Sequence, residues 1–327
     1  MDYRDRVKQQ IDQYADISDM HAQLSSITDY WKRTYMSPHF NEVTGMSNYI
    51  EFYAKPFADR ISKTGEKNLV SLGSGDGALE VMIAKKMKAL GCDDFIFNLV
   101  ELSPAQISRA KDNIKNAGLI ANFNTIEADF NEWTADITYS GVMAHHALHH
   151  VLELEHLFEA IKAGLHPEGV FVSFDMIGRN GHMRWPEALE FIERIWKFLP
   201  PEKKYHHLLK TDFDEFYNHD CSNQGFEGIR SQDILPLLVK YFNFEIFFAY
   251  GNITDEFINR AYGPNYDPEN VQDVALIDFI EYLNNTLIDV GYIKPTKMAA
   301  AMTLGPVENP KYFRNWSPEF CVRVVEN

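Results

Sequence analysis

The residues best suited to proton transfer are histidines grouped in one part of the chain. Seven of the twelve histidines fall between His145 and His182, and AHHALHH (144–150) holds four of them. An imidazole titrates near neutral pH, so His149 or His150 could act as a general base. Histidines one helical turn apart could also chelate a metal ion. No HExxH pattern is present and no cysteine lies near, so we predict that this group binds no metal.

A glycine-rich segment, LVSLGSGDGALE (69–80), could hold a ligand by its backbone. Gly73, Gly75 and Gly77 follow an apolar run and precede a helical pattern. Glycine permits a tight turn and lets the backbone approach a ligand closely. The same residues would suit a turn without any ligand, and Gly73, Gly75 and Ala78 also satisfy the dinucleotide pattern G-x-G-x-x-G/A. This segment alone therefore leaves a nucleotide site and an ordinary turn open.

Two acidic residues follow the next two predicted strands. Glu101 comes directly after FIFNLV (95–100), where a carboxylate can accept hydrogen bonds from both hydroxyls of a ribose. Asp129 follows NFNTIEA (122–128), where it can accept a hydrogen bond from an adenine amino group while Phe130 packs on the ring. Each acid taken singly fits a solvated strand end. Together with the glycines, one feature per successive strand, they predict a cleft for an adenosine-containing cofactor.

Short apolar runs alternate with helical patterns between residues 65 and 178, and these elements would position the side chains above. Further strands are predicted at 68–72, 136–142 and 170–175. Strand and helix in alternation indicate an α/β protein with a parallel, doubly wound sheet. In such sheets the ligand binds beyond the carboxyl ends of the strands, which is where the glycines and acids lie.

The segment before this core, residues 1–64, is predicted to form a helical N-terminal lid. Apolar residues recur at helical spacing from Ile50 to Ile61. Pro56 interrupts this stripe, so we expect a kink or a break into two helices there.

The segment after the core, residues 179–327, is predicted to complete a mostly parallel, seven-stranded sheet. Late strands are expected at 242–250 and 298–304. The segments 200–232 and 252–295 look like insertions after strands. Such insertions would form a cap that walls off a pocket at the ligand-binding edge of the sheet.

Two polar loops are candidate sites for a second substrate. The loop after the fifth strand carries Arg179, Arg184 and Trp185, and a later polar stretch carries Arg230. These residues could bind an acceptor, and the arginines could hold a carboxylate or a phosphate on it. Buried ion pairs that fix the inserted segments would look the same in sequence, so both interpretations stay open.

The composition excludes several classes of protein. In 327 residues, 47 acidic against 31 basic side chains give a net charge of −16, which disfavours nucleic acid and anionic lipid as partners. No apolar stretch is long enough to span a bilayer, and the first residues lack the apolar core of a secretory signal. Three scattered cysteines do not make a disulfide framework. We expect a cytoplasmic protein that acts on a small molecule and could form a homodimer.

The order of these motifs resembles that of the class I S-adenosylmethionine-dependent methyltransferases. LVSLGSGDG resembles the glycine-rich first motif of that superfamily, VELS (100–103) its acidic second-strand motif, and EADF (127–130) its adenine-contacting motif. A Leu-His-His segment, a helix and Leu-x-Pro-x-Gly before a fifth strand are similar in order and spacing. The resemblance covers about residues 65–178 and is specific for the superfamily, not for a substrate.

This resemblance implies S-adenosylmethionine as the cofactor and S-adenosylhomocysteine as the product. It places the three glycines against the methionine and ribose parts of the cofactor, Glu101 at the ribose and Asp129 at the adenine. It also implies cofactor contacts for neighbouring residues of these segments, which are Ser74, Leu102, Phe130 and Ala144.

The sequence departs from the superfamily pattern in three places. The position two before Gly73 is usually acidic but is Ser71 here, which weakens the expected contact to the amino group of the cofactor. The stretch between Asp136 and His149 is a few residues longer than in the superfamily pattern, which predicts a bulge or a longer loop there. The Asn/Asp-Pro-Pro-aromatic motif of nucleic-acid amino methyltransferases is absent, in agreement with the negative charge.

Together these features predict O-methylation of a polar small molecule, a sugar or a secondary metabolite. His149, His150 and His182 are the candidate bases, with Asp175 behind them. Two alternatives remain. An NAD(P)-dependent oxidoreductase would share the glycine pattern, although the order of the Leu-His-His and Leu-x-Pro-x-Gly motifs speaks against it. A cofactor-binding module without catalysis is supported only by Ser71.

Overall fold

A computed structural model describes residues 2–15, 24–223 and 225–324 of the protein. Residues 1 and 16–23 of the predicted lid lie outside the described residues. The strands, numbered in chain order, are β1 (Asn68–Leu72), β2 (Ile96–Glu101), β3 (Phe123–Glu127), β4 (Tyr139–His145), β5 (Leu165–Met176), β6 (Tyr205–His206), β7 (Thr211–Asp212), β8 (Asn243–Tyr250), β9 (Lys297–Thr303) and β10 (Lys311–Tyr312).

The helices surround one large sheet. They are α1 (Tyr3–Ala15), α2 (Ser26–Trp31), α3 (Ser37–Thr44), α4 (Tyr49–Thr64), α5 (Ala78–Ala89), α6 (Pro104–Asn116), α7 (Leu154–Gly164), α8 (Pro186–Phe198), α9 (Ser231–Tyr241), α10 (Ile253–Ile258), α11 (Val271–Asp289) and α12 (Pro318–Cys321). A π-helical turn, Lys32–Met36, joins α2 to α3, and short 3-10 turns include Leu148–His150 and Asn180–His182. Among the described residues, none of the helices is both long and apolar enough to cross a bilayer.

The large sheet is mostly parallel, as the sequence predicts, but it has eight strands instead of seven. Its order is β10-β8-β9-β5-β4-β1-β2-β3. Only β9 runs antiparallel to its neighbours, β5 and β8. The additional strand is β10, which pairs only Lys311 and Tyr312 with β8 at the sheet edge. Two residues are too short for a periodic pattern, so the sequence shows no signal for this strand.

Strand β4 lies three residues later than the predicted 136–142. Its central residues are fully buried between β1 and β5, so it is a continuous apolar strand, whose ends periodicity marks poorly. The register of β4 against β5 shifts, because Tyr139 pairs with Leu165 and Gly141 with Val170, so the extra residues lie on β5. The bulge or longer loop expected between Asp136 and His149 stays a prediction. Strand β5 is also longer than the predicted 170–175, because it includes the His-Pro-Glu-Gly segment before it.

Helix α4 continues through Pro56, so of the two predicted outcomes, a kink or a break into two helices, the break does not occur. Its apolar face holds it against β4 and β5, and Phe52, Tyr53 and Phe57 are fully buried. A Cβ on Gly141 of β4 would lie 2.5 Å from the Phe57 ring. The close approach of helix to sheet therefore requires glycine at this position, and this tertiary packing outweighs the hydrogen bond lost at proline.

The predicted insertions emerge at the carboxyl ends of the parallel strands. The segment 200–232 contains the small β6–β7 hairpin and irregular turns, and 252–295 contains α10 and α11. Helices α1 to α4 lie within residues 1–64, for which the sequence predicts a helical lid. The division of the chain at residues 64 and 178 stays a prediction.

Candidate active site

The glycine-rich turn after β1 adopts a backbone that only glycine accepts easily. Gly73, Gly75 and Gly77 have φ values of 71°, 55° and 68°. The Gly73 N–H donates to the carbonyl of Val100 on β2 at 2.9 Å. A Cβ on Gly73 would lie 2.8 Å from the Cβ of Ala147, so the turn packs directly against the segment that follows β4. The glycine site and the histidine group are therefore neighbours.

Glu101 lies at the same edge of the sheet as this turn. Its Oε2 accepts a hydrogen bond from the Gly75 N–H at 2.9 Å, and its Oε1 accepts one from the Ser103 N–H at 2.8 Å. Burial raises the pKa of the Glu101 carboxyl. A Cβ on Gly75 would meet no atom within 4 Å, so there is open space beside this backbone.

Two buried polar atoms near the turn have no partner among the described residues. They are the hydroxyl of Ser74 and one carboxylate oxygen of Glu80. Unpaired buried polar atoms cost free energy unless a ligand or water satisfies them. These atoms, together with the open space at Gly75, fit a polar ligand such as the adenosyl and methionine parts of S-adenosylmethionine.

Asp129 and Phe130 follow β3, and the Phe130 ring reaches the glycine turn. The Phe130 ring lies 3.6 Å from where a Gly73 Cβ would be. Asp129 Oδ1 accepts hydrogen bonds from the backbone and side-chain amides of Asn131 at 2.9 and 3.0 Å, and the Tyr3 hydroxyl donates to Oδ2. Contact of Asp129 with adenine stays a prediction, as do the contacts of Leu102 and of Ala144, which lies buried on β4.

Helix α1 contacts both Asp129 and the histidine group. Tyr3, at its start, reaches Asp129. Gln10 and Tyr14, farther along, place polar atoms 3.4 and 3.5 Å from the ring nitrogens of His150. Tyr3, Gln10 and Tyr14 are not predicted as site residues from the sequence, because a polar helix far from the motifs carries no local signal of a site.

The strongest catalytic geometry is a pair formed by His149 and Asp175. His149 Nδ1 lies 2.6 Å from Asp175 Oδ1, and the backbone N–H groups of Ala147 and Leu148 donate to Asp175 Oδ2 at 3.0 and 2.8 Å. These contacts assign the proton on Nδ1 to the bond with Asp175 and leave Nε2 as the reactive nitrogen. The sequence predicts that Asp175 supports a catalytic base, and in the structure Asp175 contacts His149.

The charge of this pair is set by its burial and by its partner. Burial alone would lower the pKa of His149, but the charge of Asp175 and its hydrogen bond raise it above the usual value. Burial opposes ionisation of Asp175, and the facing His149 nevertheless lowers its pKa to about 2. Asp175 is thus an anion that stabilises an imidazolium on His149.

A second carboxylate, Glu227, joins His182 to this pair. His182 Nε2 lies 2.6 Å from Glu227 Oε1, and His149 Nε2 lies 3.5 Å from the same oxygen. Gly181 and Gly228 make this possible, because a Cβ on Gly228 would lie 3.0 Å from the Gly181 nitrogen. Glu227 is not among the site residues predicted from the sequence, although it lies in the polar stretch that carries Arg230.

The other two candidate bases differ from His149 in their surroundings. Burial lowers the pKa of His150 to about 3, so His150 stays neutral. Burial also lowers the pKa of His182, whose Nε2 is already occupied by Glu227. His149 is therefore the histidine with the best base geometry, and base roles for the other two stay predictions.

The same group could also surround a metal ion. One ligand atom each from His149, His182 and Glu227 lies within 4.8 Å of the others. In metal sites a carboxylate often holds the far nitrogen of a histidine ligand, as Asp175 holds that of His149. The direct contact of 2.6 Å between His182 and Glu227 equally fits a hydrogen-bonded ion pair. The prediction that no metal binds stays a prediction.

The three arginines of the predicted acceptor loops already have partners within the protein. Arg184 Nε lies 2.5 Å from Glu256 Oε1. Arg230 donates to both oxygens of Glu155 at 2.6 and 2.8 Å and to Asp233 at 2.8 Å. These contacts favour the structural interpretation, in which ion pairs fix the inserted segments.

Arg179 and Trp185 also form part of this support. Arg179 donates to the backbone carbonyl of Arg184 at 3.2 Å, and its guanidinium lies 5.5 Å from the centre of the Trp185 ring. The guanidinium of Arg323 lies 4.0 Å from the same ring. Direct contact of Arg179, Arg184, Trp185 or Arg230 with an acceptor stays a prediction.

Replacing Arg230 by methionine is expected to destabilise the fold more than it affects acceptor binding. The change breaks a two-oxygen contact to Glu155 and a third bond to Asp233, and we expect a loss of about 1–2 kcal/mol in the free energy of unfolding. Denaturant unfolding measures this loss. Arg194→Met is the matched control, because Arg194 forms an exposed ion pair on α8. A large rise in the KM for the acceptor at unchanged stability would instead assign Arg230 to the acceptor.

Comparison with known proteins identifies a methyltransferase domain in this chain. Residues 70–169 match a family of methyltransferase domains. This span contains the glycine turn, Glu101, Asp129 and His149. The chain therefore contains a methyltransferase domain, and the protein is a methyltransferase whose cofactor is S-adenosylmethionine. The oxidoreductase alternative gains no support from this match. No curated protein sequence matches the chain.

Several solved structures are similar to this chain at low sequence identity. One is the geranyl diphosphate C-methyltransferase of Streptomyces coelicolor A3(2), in complex with Mg²⁺, geranyl diphosphate and S-adenosylhomocysteine, with 13% identity, a TM-score of 0.48, and coverage of 92% of this chain and 98% of that chain. Another is a putative sarcosine dimethylglycine methyltransferase of Galdieria sulphuraria, with 14% identity, a TM-score of 0.45, and coverage of 93% and 100%.

A third similar structure is the O-methyltransferase of a trans-AT polyketide synthase multienzyme of Brevibacillus brevis, in complex with S-adenosylhomocysteine. It has 13% identity and a TM-score of 0.45, and the match covers 88% of this chain and 85% of that chain. All three TM-scores are below 0.5, so these likenesses carry no argument about the acceptor.

Proposed function

We propose that the protein transfers the methyl group of S-adenosylmethionine to a hydroxyl group of a small, polar, uncharged molecule such as a sugar or a hydroxylated secondary metabolite. The observation that carries this proposal is the His149–Asp175 pair beside the glycine turn. A hydroxyl group is a weak nucleophile, and an oriented imidazole is the side chain that best removes its proton near neutral pH.

Each member of the pair has a defined part in this reaction. The cofactor supplies an electrophilic methyl group when it is bound. His149 Nε2 takes the proton as the hydroxyl oxygen bonds to the methyl carbon, and the sulfur keeps the electrons of the broken bond. Asp175 holds the imidazole in position and stabilises its positive charge. The covering segments keep the acceptor in line and exclude water.

The charges around the pair favour an uncharged acceptor over an anionic one. Asp175, Glu227 and Glu101 place three carboxylates in this region. Arg184 and Arg230, two of the three arginines that the sequence offers for a phosphate or a carboxylate, are held by acidic side chains of the protein. An anionic acceptor would therefore meet repulsion, whereas hydroxyl groups can donate hydrogen bonds to these carboxylates.

An acceptor screen tests this proposal. The purified protein is incubated with S-adenosylmethionine and matched panels of neutral sugars and polyols, sugar phosphates, carboxylic acids and amines, and S-adenosylhomocysteine formation is followed. We expect turnover with neutral hydroxyl compounds and a methyl ether in the product by NMR. Methylation only of amines, of carbon or of anionic compounds would contradict it. The homodimer and the cytoplasmic location stay predictions.

A further inference from the structure

Glu80 is a buried carboxylate without a charged partner. It lies in the first turn of α5 and is 2% exposed. The hydroxyl of Ser71, on β1, donates to Glu80 Oε1 at 2.7 Å. Glu80 Oε2 is buried and has no hydrogen-bond partner within the described ranges. No described lysine, arginine or histidine forms an ion pair with it, so one half of this carboxylate is unsatisfied.

The groups that face Glu80 increase the cost of its charge. Burial raises the pKa of Glu80 to about 7, and the negative charges of Asp76 and Glu101 add to this effect. Tyr53, from α4, is a further titratable group that interacts with Glu80. Burial raises the pKa of its hydroxyl, and the charges of Asp175 and Glu80 add to this effect. A buried anion among other anions destabilises the cofactor-free protein unless a cation comes with a ligand.

The position of Glu80 identifies the ligand that could bring this cation. Ser71 precedes the glycine turn by two residues and Glu80 follows it by three, so the carboxylate lies at the base of the turn. S-adenosylmethionine and S-adenosylhomocysteine both carry an α-ammonium group on their methionine part. We propose that Glu80, oriented by Ser71, is the carboxylate that pairs with this α-ammonium group.

This proposal accounts for the serine at position 71. The acidic group that this strand position lacks is supplied from the adjoining helix, so Ser71 no longer indicates an incomplete cofactor site. The alternative is a Glu80 that contacts no ligand and only stabilises the start of α5, as a negatively charged residue in a first turn commonly does. The two roles differ in one measurable respect, because only the first depends on the amino group of the ligand.

Calorimetric titration with two ligands tests the proposal. One ligand is S-adenosylhomocysteine, and the other is its deamino analogue, which lacks the α-amino group. Glu80→Gln keeps the acceptor for Ser71 but removes the charge. We expect Glu80→Gln to lower the affinity for S-adenosylhomocysteine by about tenfold to a hundredfold, and the affinity for the deamino analogue by less than about twofold. Equal weakening of both ligands, or of neither, would overturn the proposal.

A charge exchange provides a second, independent variant. Ser71→Asp combined with Glu80→Ser moves the carboxylate from the helix to the strand and keeps the hydroxyl–carboxylate pair. We expect this double variant to regain most of the preference for S-adenosylhomocysteine over the deamino analogue. A folded double variant that binds the two ligands equally would also overturn the proposal. Both titrations are made without acceptor, so failure of the proposed O-methylation would appear only in the acceptor screen.

Discussion

Replacing His149 by glutamine is expected to lower kcat by about 10²–10⁴-fold, the usual contribution of a positioned general base. The affinity for S-adenosylhomocysteine should stay nearly unchanged, because the contacts of His149 are to Asp175 and Glu227 and not to the glycine turn. Single-turnover kinetics and calorimetry separate the two effects. A variant that binds the cofactor but has lost turnover would also contradict the idea of a module without catalysis.

His150→Gln is the matched control, since His150 is also buried, adjoins His149 in the chain and stays neutral. It should lower kcat far less than His149→Gln. If both substitutions have equal effects, His149 does not act as the base. Metal analysis of the wild-type protein and of His182→Gln completes the test. A stoichiometric divalent ion that is lost in His182→Gln together with activity would assign the group to a metal site.

The pH profile gives the same base a second signature. The pKa of His149 lies above its usual value because of Asp175, and a base must be neutral to accept a proton. We therefore expect kcat/KM to rise with pH through that raised pKa. Asp175→Asn removes the charge that raises it, so its profile should shift to lower pH while kcat falls. An unchanged profile in Asp175→Asn would exclude His149 as the titrating group.

The second large effect is expected on cofactor binding. Glu101→Gln should lower the affinity for S-adenosylhomocysteine by about a hundredfold or more. A carboxylate that accepts hydrogen bonds from two ribose hydroxyl groups contributes about 3 kcal/mol or more to the binding free energy. The substitution also leaves only one oxygen for the Gly75 and Ser103 N–H groups, so the turn itself would loosen. Calorimetric titration measures the loss.

Glu127→Gln is the matched control for Glu101. Glu127 ends β3 directly beside Glu101 in the parallel register, but its side chain is exposed. The Glu127→Gln substitution should leave the affinity for S-adenosylhomocysteine unchanged. Equal losses in the two variants would mean that general charge, and not a ribose contact at Glu101, determines cofactor binding. A folded Glu101→Gln variant with wild-type affinity would contradict the predicted role outright.

Much of the candidate cofactor-binding site can be predicted from local sequence. Gly73, Gly75 and Gly77 need positive φ values, and Glu101 ends its strand beside them. These features lie within short segments whose periodicity and glycine content report the local backbone directly. The parallel sheet follows from the same alternation, and the structure confirms it.

Sequence is less informative wherever packing between distant segments decides the outcome. Strand β4 begins and ends three residues later than predicted, because burial on both faces removes the alternation that marks strand ends. Helix α4 passes through Pro56 because its aromatic face is fixed on the sheet. In both cases the local pattern is real, but the stronger long-range contacts override it.

The catalytic group depends on tertiary structure most of all. The sequence by itself determined that histidines, Asp175 and a glycine-rich cofactor site belong to one edge of a sheet. Only the folded chain decided that Asp175 holds His149, that Glu227 links it to His182, and that Tyr3 of α1 reaches Asp129. Such contacts join residues far apart in the chain, through loops without periodicity, so their partners are set by how the inserted segments fold back over the sheet.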